Sequence, residues 1–255
     1  EETSGGALPM IEEGVLENPH TDVCVALHCD SDLDCGTIRV KPGSLYASPD
    51  DFRITVKGKG GHGAEPHNCI DPIMISASII QALNNLISRE TDPFDNAVIS
   101  VGSIHGGSAT NIIPDSVEIQ GTARSLTNEV RGFLKKRIGE TAEGICKTFG
   151  AEREYEYTEL FPPLINDEKL AEDVYDSACR SIGKDKCVWG GAPTMAGEDF
   201  SYFSQNRPSV LFKLGCRNKS LGIVSPIHHS SFDIDENCLK TGVKVFVGFV
   251  LDYLN

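Results

Sequence analysis

The chain has 255 residues, of which 40% are hydrophobic and 24% are charged, a composition typical of a globular protein with one large or two modest domains. Its formal net charge of -14 at pH 7 argues against binding to nucleic acid or to an anionic membrane, because both need a basic surface. The expected partner is therefore a small molecule or another protein, with no nucleic acid and no membrane involved.

The cysteines indicate a reducing compartment. Nine of them are spread along the chain, an odd number, and no Cys-x-x-Cys pair occurs. Scattered thiols of this kind fit a reducing compartment, so we predict a cytoplasmic protein. No run approaches the roughly 18 apolar residues of a membrane-spanning helix. The first residues resemble neither a signal peptide nor a normal initiator methionine, and we expect the chain to begin inside a longer protein.

The first predicted elements bring a histidine into a sheet. Residues 7–15 have a short amphipathic pattern and predict a helix, whereas 23–28 form a continuous apolar run typical of a strand buried in a mixed or parallel sheet. His28 lies at the end of this run, with Asp30 and Asp32 close behind. A histidine in this position can bind a metal, and a partly buried structural histidine is the competing interpretation.

A glycine-rich segment follows the next predicted strand, 51–57, whose residues alternate between polar and apolar. The segment 57–67 holds four glycines and two histidines, His62 and His67, in eleven positions. Glycine permits a close approach to a ligand or a turn with positive φ, and a histidine there can donate a proton or a hydrogen bond near neutral pH. The alternative is a surface turn with two solvated histidines, and the segment alone does not decide.

The middle of the chain predicts an inserted unit. Further elements are expected as a helix over 71–89, strands over 97–104 and 116–124, a helix over 127–150 with Thr127 as its N-cap, and a strand over 153–159. The order strand, helix, strand, strand, helix, strand is that of a ferredoxin-like α+β unit. We assign residues 51–161 to this unit, and its open sheet face or edge makes it a candidate for dimerisation.

The flanking pieces predict an α/β domain. After a proline pair at 162–163, helices are expected over 167–181, 198–204 and 236–254, and strands over 186–189 and 210–215. Residues 1–50 and 162–255 would then form one α/β domain with a mixed sheet, interrupted by the inserted unit.

Several side chains of the flanking pieces could carry chemistry. Glu1 and Glu2 are adjacent, so their side chains would point in different directions if both act in a site. The alternative is that both are solvated charges at the chain terminus without a function in a site. His28 and the pair His228-His229 belong to the same predicted domain, and two imidazoles with a carboxylate suit zinc or another late divalent metal. Glu198, with the next carboxylate, lies on a turn that enters a helix, where helix capping is the competing interpretation.

Taken together and in this order, several motifs resemble those of the metal-dependent amidohydrolase and aminoacylase family, which includes hippurate hydrolase, plant auxin-conjugate hydrolases and N-acetyl-diaminopimelate deacetylase. The motifs are Glu1-Glu2 with Gly5-Gly6-Ala7 and Met10-Ile11-Glu12-Glu13-Gly14-Val15, Leu27-His28, Gly60-Gly61-His62-Gly63-Ala64-Glu65-Pro66-His67 with Asp71-Pro72, Ala109-Thr110-Asn111-Ile112-Ile113-Pro114-Asp115, Gly121-Thr122-Ala123-Arg124, Met195-Ala196-Gly197-Glu198-Asp199-Phe200, and Ile227-His228 with Phe232 and Asp235-Glu236. Jointly they cover nearly the whole chain, and no single one is specific.

The resemblance implies a zinc-peptidase-like catalytic domain, incomplete at its N-terminus, with an inserted lid and dimerisation domain. The implied activity is hydrolysis of the amide bond of N-acyl amino acids or peptides through a metal-activated water in a homodimer, with two divalent ions per complete site (Zn, Mn, Co or Ni). The implied roles are Glu1 as general base and acid, Glu2, His28 and His228 as metal ligands, His62 as a lid histidine acting across the dimer, and Asn111 and Arg124 as substrate-binding residues. His67, His229 and Glu198 receive no role.

The chain departs from the family in one respect. The Cys-Gly-His-Asp segment that completes the two-metal site in the family does not occur in these residues. We therefore expect the 255-residue chain alone to bind metal weakly and to be inactive. Two alternatives stay open: a non-catalytic dimerisation or binding module, and a dipeptidase or carboxypeptidase of the same clan.

Overall fold

A computed structural model describes residues 5–255, so Glu1 and Glu2 lie outside the described residues. The chain divides into two compact units. The first unit comprises the residues up to Leu45 together with Leu164–Thr194 and Glu198–Asn255, and the second comprises Tyr46–Pro163 with Met195–Gly197. Within residues 5–255, none of the helices combines the length and apolarity that crossing a membrane would require.

The second unit is a four-stranded antiparallel sheet with two long helices. Its elements are β4 (Ser48–Lys57), β5 (Gly61–His62), α2 (Pro72–Asn85), β6 (Ala97–Gly106), β7 (Ile112–Ile113), β8 (Ser116–Ser125), α3 (Asn128–Thr148) and β9 (Glu152–Thr158). The sheet order is β6-β8-β4-β9, and β5 pairs with β7 in a separate ribbon. Numbered along the sheet strands alone, this order is 2-3-1-4, that of a split βαβ unit.

Strand β4 begins three residues before the predicted start. Ser48, Pro49 and Asp50 pair in register with Ser125, Arg124 and Ala123 of β8. A Pro-Asp-Asp sequence is typical of a turn, and only the pairing with β8 identifies these residues as strand.

Side-chain caps begin both helices of the second unit. The Asp71 carboxylate accepts the N–H of Ile73 at 2.9 Å, and the Thr127 hydroxyl accepts the N–H of Val130 at 3.2 Å, so the predicted Thr127 cap is confirmed. Helix α2 ends at Asn85, four residues before the predicted end, and continues as a π-type turn in which the N–H of Thr91 bonds the Leu86 carbonyl at 2.9 Å.

The two helices cover one face of this sheet. Apolar side chains of β4, β8, α2 and α3 share a single core, and each fully buried one contributes about 1.5–3 kcal/mol of hydrophobic stabilisation. Its fully or almost fully buried members include Ile54, Val56, Ile79, Leu83, Ile119, Leu134 and Ile138.

A buried ionic group lies beside this core. The Asp50 carboxylate, 0% exposed, accepts two hydrogen bonds of 2.7 Å from the Arg131 guanidinium, one of 3.0 Å from the Tyr157 hydroxyl and one of 3.1 Å from the Leu160 N–H. Four donors on one carboxylate offset the cost of removing its charge from water. This single side chain connects β4, α3, β9 and the segment after β9.

The first unit contains a mixed sheet, as predicted. Its elements are α1 (Ala7–Glu12), β1 (Cys24–Asp34), β2 (Ile38–Val40), β3 (Gly43–Tyr46, reaching one residue into the second unit), β10 (Leu164–Asn166), α4 (Glu168–Ile182), β11 (Cys187–Trp189), α5 (Ser201–Asn206), β12 (Ser209–Arg217) and α6 (Asn237–Tyr253). The main sheet has the order β1-β12-β2-β11; β1 runs parallel to β12, β12 antiparallel to β2, and β2 parallel to β11.

Strand β1 is longer than predicted, and His28 lies at its fifth position of eleven rather than at its end. The apolar run stops at residue 28, but pairing with β12 continues through Asp30. Backbone hydrogen bonds to a neighbouring strand do not depend on side-chain polarity, which explains why the strand extends into polar sequence.

Candidate functional site

The two faces of the first unit's main sheet differ sharply in polarity. Val25, Leu27 and Cys29 of β1 pack on the apolar core that contains Val245 and Phe249 of α6. Because successive side chains of a strand point to opposite faces, His28 and Asp30 lie on the other face. That face is the candidate site of the first unit.

A row of nitrogen-bearing side chains crosses this polar face. His28 of β1 is the register partner of Lys213 of β12, and Lys213 is the register partner of Arg39 of β2. Directly paired residues share a face of the sheet. The structure thus places the predicted ligand His28 beside Lys213, with Arg39 next in the row, and the sequence motifs had identified neither cation.

Two carboxylates lie near these two cations and compensate their positive charge. The Arg39 guanidinium lies 3.6 Å from the Asp30 carboxylate, and Glu198, only 6% exposed, is close enough to Lys213 to act on it electrostatically. Burial lowers the pKa of the Lys213 ammonium, while Asp30 and Glu198 act in the opposite direction. A signal for Lys213 was present in the sequence, since it is the single charged residue in the apolar run 210–214.

The orientation of the His28 ring defines which nitrogen can bind a metal. Nδ1 of His28 lies 2.8 Å from the Cys29 carbonyl oxygen. A carbonyl oxygen only accepts, so Nδ1 carries the proton, and a neutral ring then has its lone pair on Nε2. A backbone carbonyl on the other ring nitrogen is the usual outer support of a metal-binding histidine.

His228 lies in an exposed turn with an unusual backbone. Its φ is 65°, and it is the single non-glycine residue between positions 5 and 255 with positive φ. Such strain clusters at functional sites. The neighbouring His229 has a local role, because its Nδ1 accepts the N–H of Ser231 at 3.1 Å.

The predicted metal ligands are not seen together as a set. Glu2 lies outside the described residues, and within residues 5–255 no group of three or more His, Cys, Asp or Glu side chains is arranged to hold a metal ion. The donor chemistry of His28 nevertheless fits a divalent metal, because its Nε2 lone pair is of the kind that zinc binds.

The second unit brings two predicted site residues side by side. His62 pairs with Ile112 in the ribbon of β5 and β7, and the N–H of Gly63 bonds the Asn111 carbonyl at 2.8 Å. Nδ1 of His62 accepts the N–H of Ala64 at 3.1 Å, so in the neutral ring Nε2 carries the proton. His62 is thus a hydrogen-bond donor through Nε2, the opposite arrangement to His28.

Glycine is needed at two positions of this loop because another backbone segment comes too close for a side chain, not because φ is positive. A Cβ on Gly58 would lie 2.2 Å from the Ile70 carbonyl oxygen, and one on Gly60 would lie 2.7 Å from that of Ile113. Neither residue has positive φ. The backbone these glycines approach is that of their own unit, and this packing holds His62 next to Asn111.

Arg124 occupies β8 and is anchored at one end. Its Nη1 donates to the Met195 carbonyl oxygen at 2.7 Å, which engages one of its five N–H donors. The register places Arg124 between Pro49 of β4 and Val98 of β6.

The carboxylates at 198 and 199 both accept backbone N–H groups, but only Asp199 caps a helix, and it is not the following one. Asp199 accepts the N–H groups of Gly6 and Ala7 at 2.7 and 2.9 Å and so caps α1, at the opposite end of the chain. Glu198 accepts the N–H of Phe200 at 3.2 Å in the turn before α5. The competing interpretation, in which both carboxylates cap the following helix, fails for Asp199, because the N–H groups that it accepts are remote in sequence.

Comparison with known proteins identifies the family of this chain. Residues 1–252 match the model of peptidase family M20/M25/M40. The chain belongs to this family.

Three similar proteins illustrate the range of the family. The chain is 37% identical over 252 residues to thermostable carboxypeptidase 2 of Saccharolobus solfataricus, covering 98% of this chain and 63% of that protein. It is 37% identical over 255 residues to N-acetyldiaminopimelate deacetylase of Bacillus velezensis, covering 100% of this chain and 66% of that protein. The Bacillus subtilis YXEP protein, a dinuclear metal binding peptidase of the M20 family, superimposes with a TM-score of 0.79 at 28% identity, covering 98% of this chain and 62% of that one. The chain thus spans less than two thirds of the length of these proteins.

Proposed function

We propose that this protein hydrolyses the amide bond of small N-acyl amino acids with divalent metal ions. The observation that carries the proposal is the His28 ring, whose Nδ1–H donates to the Cys29 carbonyl and whose Nε2 lone pair lies on the polar face of the sheet. Membership of a family that includes a deacetylase and a dinuclear metal binding peptidase supports it.

In this proposal Glu2, His28 and His228 hold the metal. A bound divalent ion lowers the pKa of water to about 7 and polarises a carbonyl group. Glu1 takes a proton from the attacking water and delivers it to the leaving amine. The number of ions, two per complete site, and their identity as Zn, Mn, Co or Ni remain part of the proposal.

His62 supplies a hydrogen bond from its Nε2–H to the substrate oxygen that gains negative charge. The bond from Ala64 N–H to Nδ1 supports this role, since it fixes the tautomer that donates through Nε2. We propose that it acts in the site of a second subunit. Asn111, next to His62, and the guanidinium of Arg124 are proposed to bind the carbonyl or carboxylate of the substrate.

The proposed homodimer would use the β6 edge of the second unit. Both β6 and β9 are edge strands of that sheet. The β9 edge is protected by charge, with Glu154 paired to Lys57 and Glu156 to Arg53, whereas the ten residues of β6 carry no Asp, Glu, Lys or Arg. A long uncharged edge strand is a template for pairing with another chain.

Two alternatives remain. Similarity to a carboxypeptidase makes peptide substrates a second candidate. A non-catalytic dimerisation module is the third. The joint presence of the seven proposed site residues argues against it, because a module without catalysis has no need of all these residue types: Glu1, Glu2, His28, His62, Asn111, Arg124 and His228. The expected inactivity of the 255 residues alone and the cytoplasmic location also remain predictions.

Metal analysis and an amidase assay on the complete enzyme test the proposed function. We expect metal-dependent release of amino acids from N-acyl amino acids, loss of activity with a chelator, and recovery when a divalent metal is added. His28→Ala should lose bound metal and activity together, because the ring supplies a ligand. His20→Ala, an exposed histidine of the same unit, is the control. Full metal content in His28→Ala would refute the ligand assignment, and cleavage of peptides alone would favour the carboxypeptidase.

The dimer is tested by placing a charge on the β6 edge. Ile104→Lys, at an exposed position of β6, should shift the protein from dimer to monomer in light scattering coupled to size exclusion, because an unpaired ammonium opposes strand pairing. Phe94→Lys, in the loop before β6 and 95% exposed, makes the same kind of change away from the edge and should leave the dimer intact. A dimeric Ile104→Lys protein would exclude this interface.

A further inference from the structure

One carboxylate of the first unit joins two segments that lie 193 residues apart in the chain. Oδ2 of Asp199 accepts the N–H of Gly6 at 2.7 Å and that of Ala7 at 2.9 Å. Gly6 is the N-cap residue of α1 and has no side chain that could accept an N–H group of the helix. Asp199 therefore supplies, from a remote segment, the acceptor that a helix usually takes from its own N-cap residue.

A second side chain holds the other end of the segment that begins at Gly6. Arg207 directly follows α5, and its guanidinium donates to the Thr21 carbonyl oxygen at 2.8 Å and to the Glu17 carboxylate at 2.9 Å. Asp199 lies just before α5. The residues on either side of this one short helix thus bind both ends of the segment 6–21.

The same stretch of chain continues into the strand that pairs with β1. Cys24 donates its N–H to the Pro208 carbonyl at 3.0 Å, and from there β1 runs parallel to β12. This pairing brings His28 opposite Lys213. The chain from Asp199 through α5 into β12 therefore contacts both the start of α1 and the strand that carries the proposed metal ligand.

The anchored backbone lies close in sequence to the two carboxylates of the proposed mechanism. Glu2 precedes Gly6 by four residues, so chain geometry keeps their Cα atoms within about 14 Å of each other. Gly5 has a φ of 69°, a left-handed conformation that favours glycine, and turns the chain directly before the anchored N–H groups. The bonds to Asp199 and the turn at Gly5 set the point and the direction from which the chain continues back to Glu2 and Glu1.

We propose that Asp199 is a positioning residue, which holds the start of α1 so that Glu1 and Glu2 reach the polar face of the sheet. The role rests on the proposed function, in which Glu2 and His28 bind a metal ion and Glu1 moves the proton. Metal–ligand bonds have narrowly defined lengths, and removing an outer group that orients a ligand typically costs about 10–100-fold in metal affinity or activity. Asp199 acts through backbone N–H groups and not through the metal or the substrate.

The test uses the complete enzyme, with zinc as the probe. Asp199→Ala should lower the zinc affinity, measured by competition with a chromogenic chelator, and kcat with an N-acetyl amino acid, each by about 10–100-fold. Asp199→Asn should stay close to the wild type in both quantities, because its amide oxygen can still accept the two N–H groups. Recovery in the asparagine variant would show that the acceptor matters and not the charge.

Amide hydrogen exchange of the zinc-free protein gives a readout that does not depend on catalysis. In Asp199→Ala the peptide that contains Gly6 and Ala7 should exchange faster than in the wild type, because both N–H groups lose their acceptor. In Asp199→Asn the exchange of this peptide should remain slow.

Asp167→Ala is the matched control, because it removes a carboxylate cap from another helix of the same unit. The Asp167 carboxylate accepts the Leu170 N–H at 2.8 Å at the start of α4. Its loss should lower the thermal midpoint, as the loss of Asp199 does, and leave zinc affinity and kcat unchanged.

Gly5→Ala is the second variant, and it decides the matter if Asp199→Ala does not fold. It keeps Asp199 and strains the turn before the anchored groups, so zinc affinity and kcat should again fall together. Wild-type zinc affinity and kcat in this variant would then overturn the proposal.

Two outcomes with a folded Asp199→Ala protein would also overturn it. If its zinc affinity and kcat equal those of Asp167→Ala, Asp199 is only a helix cap. If Asp199→Asn loses both, the charge is required and the backbone anchor is not the reason. A wild-type enzyme that neither binds a divalent metal nor cleaves the amide would instead refute the proposed function.

Discussion

Replacing His62 with alanine in the complete enzyme should lower kcat by about 10²–10³-fold, because one preorganised donor to the developing negative charge is lost. The His62 tautomer supports this expectation. Its Nδ1 accepts the Ala64 N–H, so the proton that a substrate oxygen would receive is on Nε2. Metal content, measured by elemental analysis of the purified variant, should stay at the wild-type level.

His67→Ala is the matched control, since it removes an exposed histidine from the same loop and should change kcat little. Loss of metal from His62→Ala would instead identify His62 as a ligand. Unchanged kcat would remove it from the mechanism.

Mixing two inactive variants tests whether His62 acts across the dimer. His28→Ala lacks a proposed metal ligand, and His62→Ala lacks the proposed donor, so a mixed dimer would contain one complete site. Random pairing makes half of the dimers mixed, and about a quarter of the wild-type activity should return when the subunits are exchanged. No recovery, with mixed dimers demonstrated, would show that His62 acts within its own subunit.

Replacing Asp50 with alanine should lower the free energy of unfolding by about 3–5 kcal/mol, because Arg131, a largely buried charge, would keep only a 3.6 Å contact with the exposed Glu159 carboxylate. The Arg131 side chain is only 11% exposed and donates two hydrogen bonds to Asp50. The Tyr157 hydroxyl and the Leu160 N–H would also lose their acceptor. Urea unfolding followed by far-UV circular dichroism measures the change.

Lys147→Ala provides the comparison in the same unit. Lys147 is exposed and pairs with Glu143 one turn earlier on α3, and a solvent-exposed pair of this kind contributes little to stability. Asp50→Asn distinguishes the effect of losing the charge from the effect of losing the side chain, because the amide keeps the size of the side chain and loses its charge. If Asp50→Ala is no more destabilising than Lys147→Ala, the network is not a major source of stability.

Local patterns were sufficient for most of the helices and strands. The caps of α2 and α3 act on N–H groups two or three residues away, and their helices were predicted close to their observed bounds. Short strands such as β2 and β10 were missed, because three residues carry no measurable period. The start of β4 at Ser48 was missed because a local Pro-Asp-Asp signal favours a turn, and pairing with β8 overrides it.

The sequence predicted the site residues that belong to recognisable motifs, but not the residues that only the fold brings next to them. His28, His62, Asn111, Arg124 and His228 were identified through motifs, whereas Lys213 and Arg39 were not. Their place in one row with His28 follows from strand register between segments more than 170 residues apart, which no local pattern encodes.

The amino-acid sequence by itself determined the class of fold, the family motifs and the types of side chain available for chemistry, because periodicity, capping and residue type are local properties. Tertiary structure alone decided the tautomers of His28 and His62, the row that His28 forms with Lys213 and Arg39, and the four bonds of Asp50. Each of these depends on a partner atom whose position is set by folding: a carbonyl, an N–H group or a register neighbour. Hydrogen bonding and electrostatics act over a few ångströms, so the chemistry of these residues follows from how the chain brings them together.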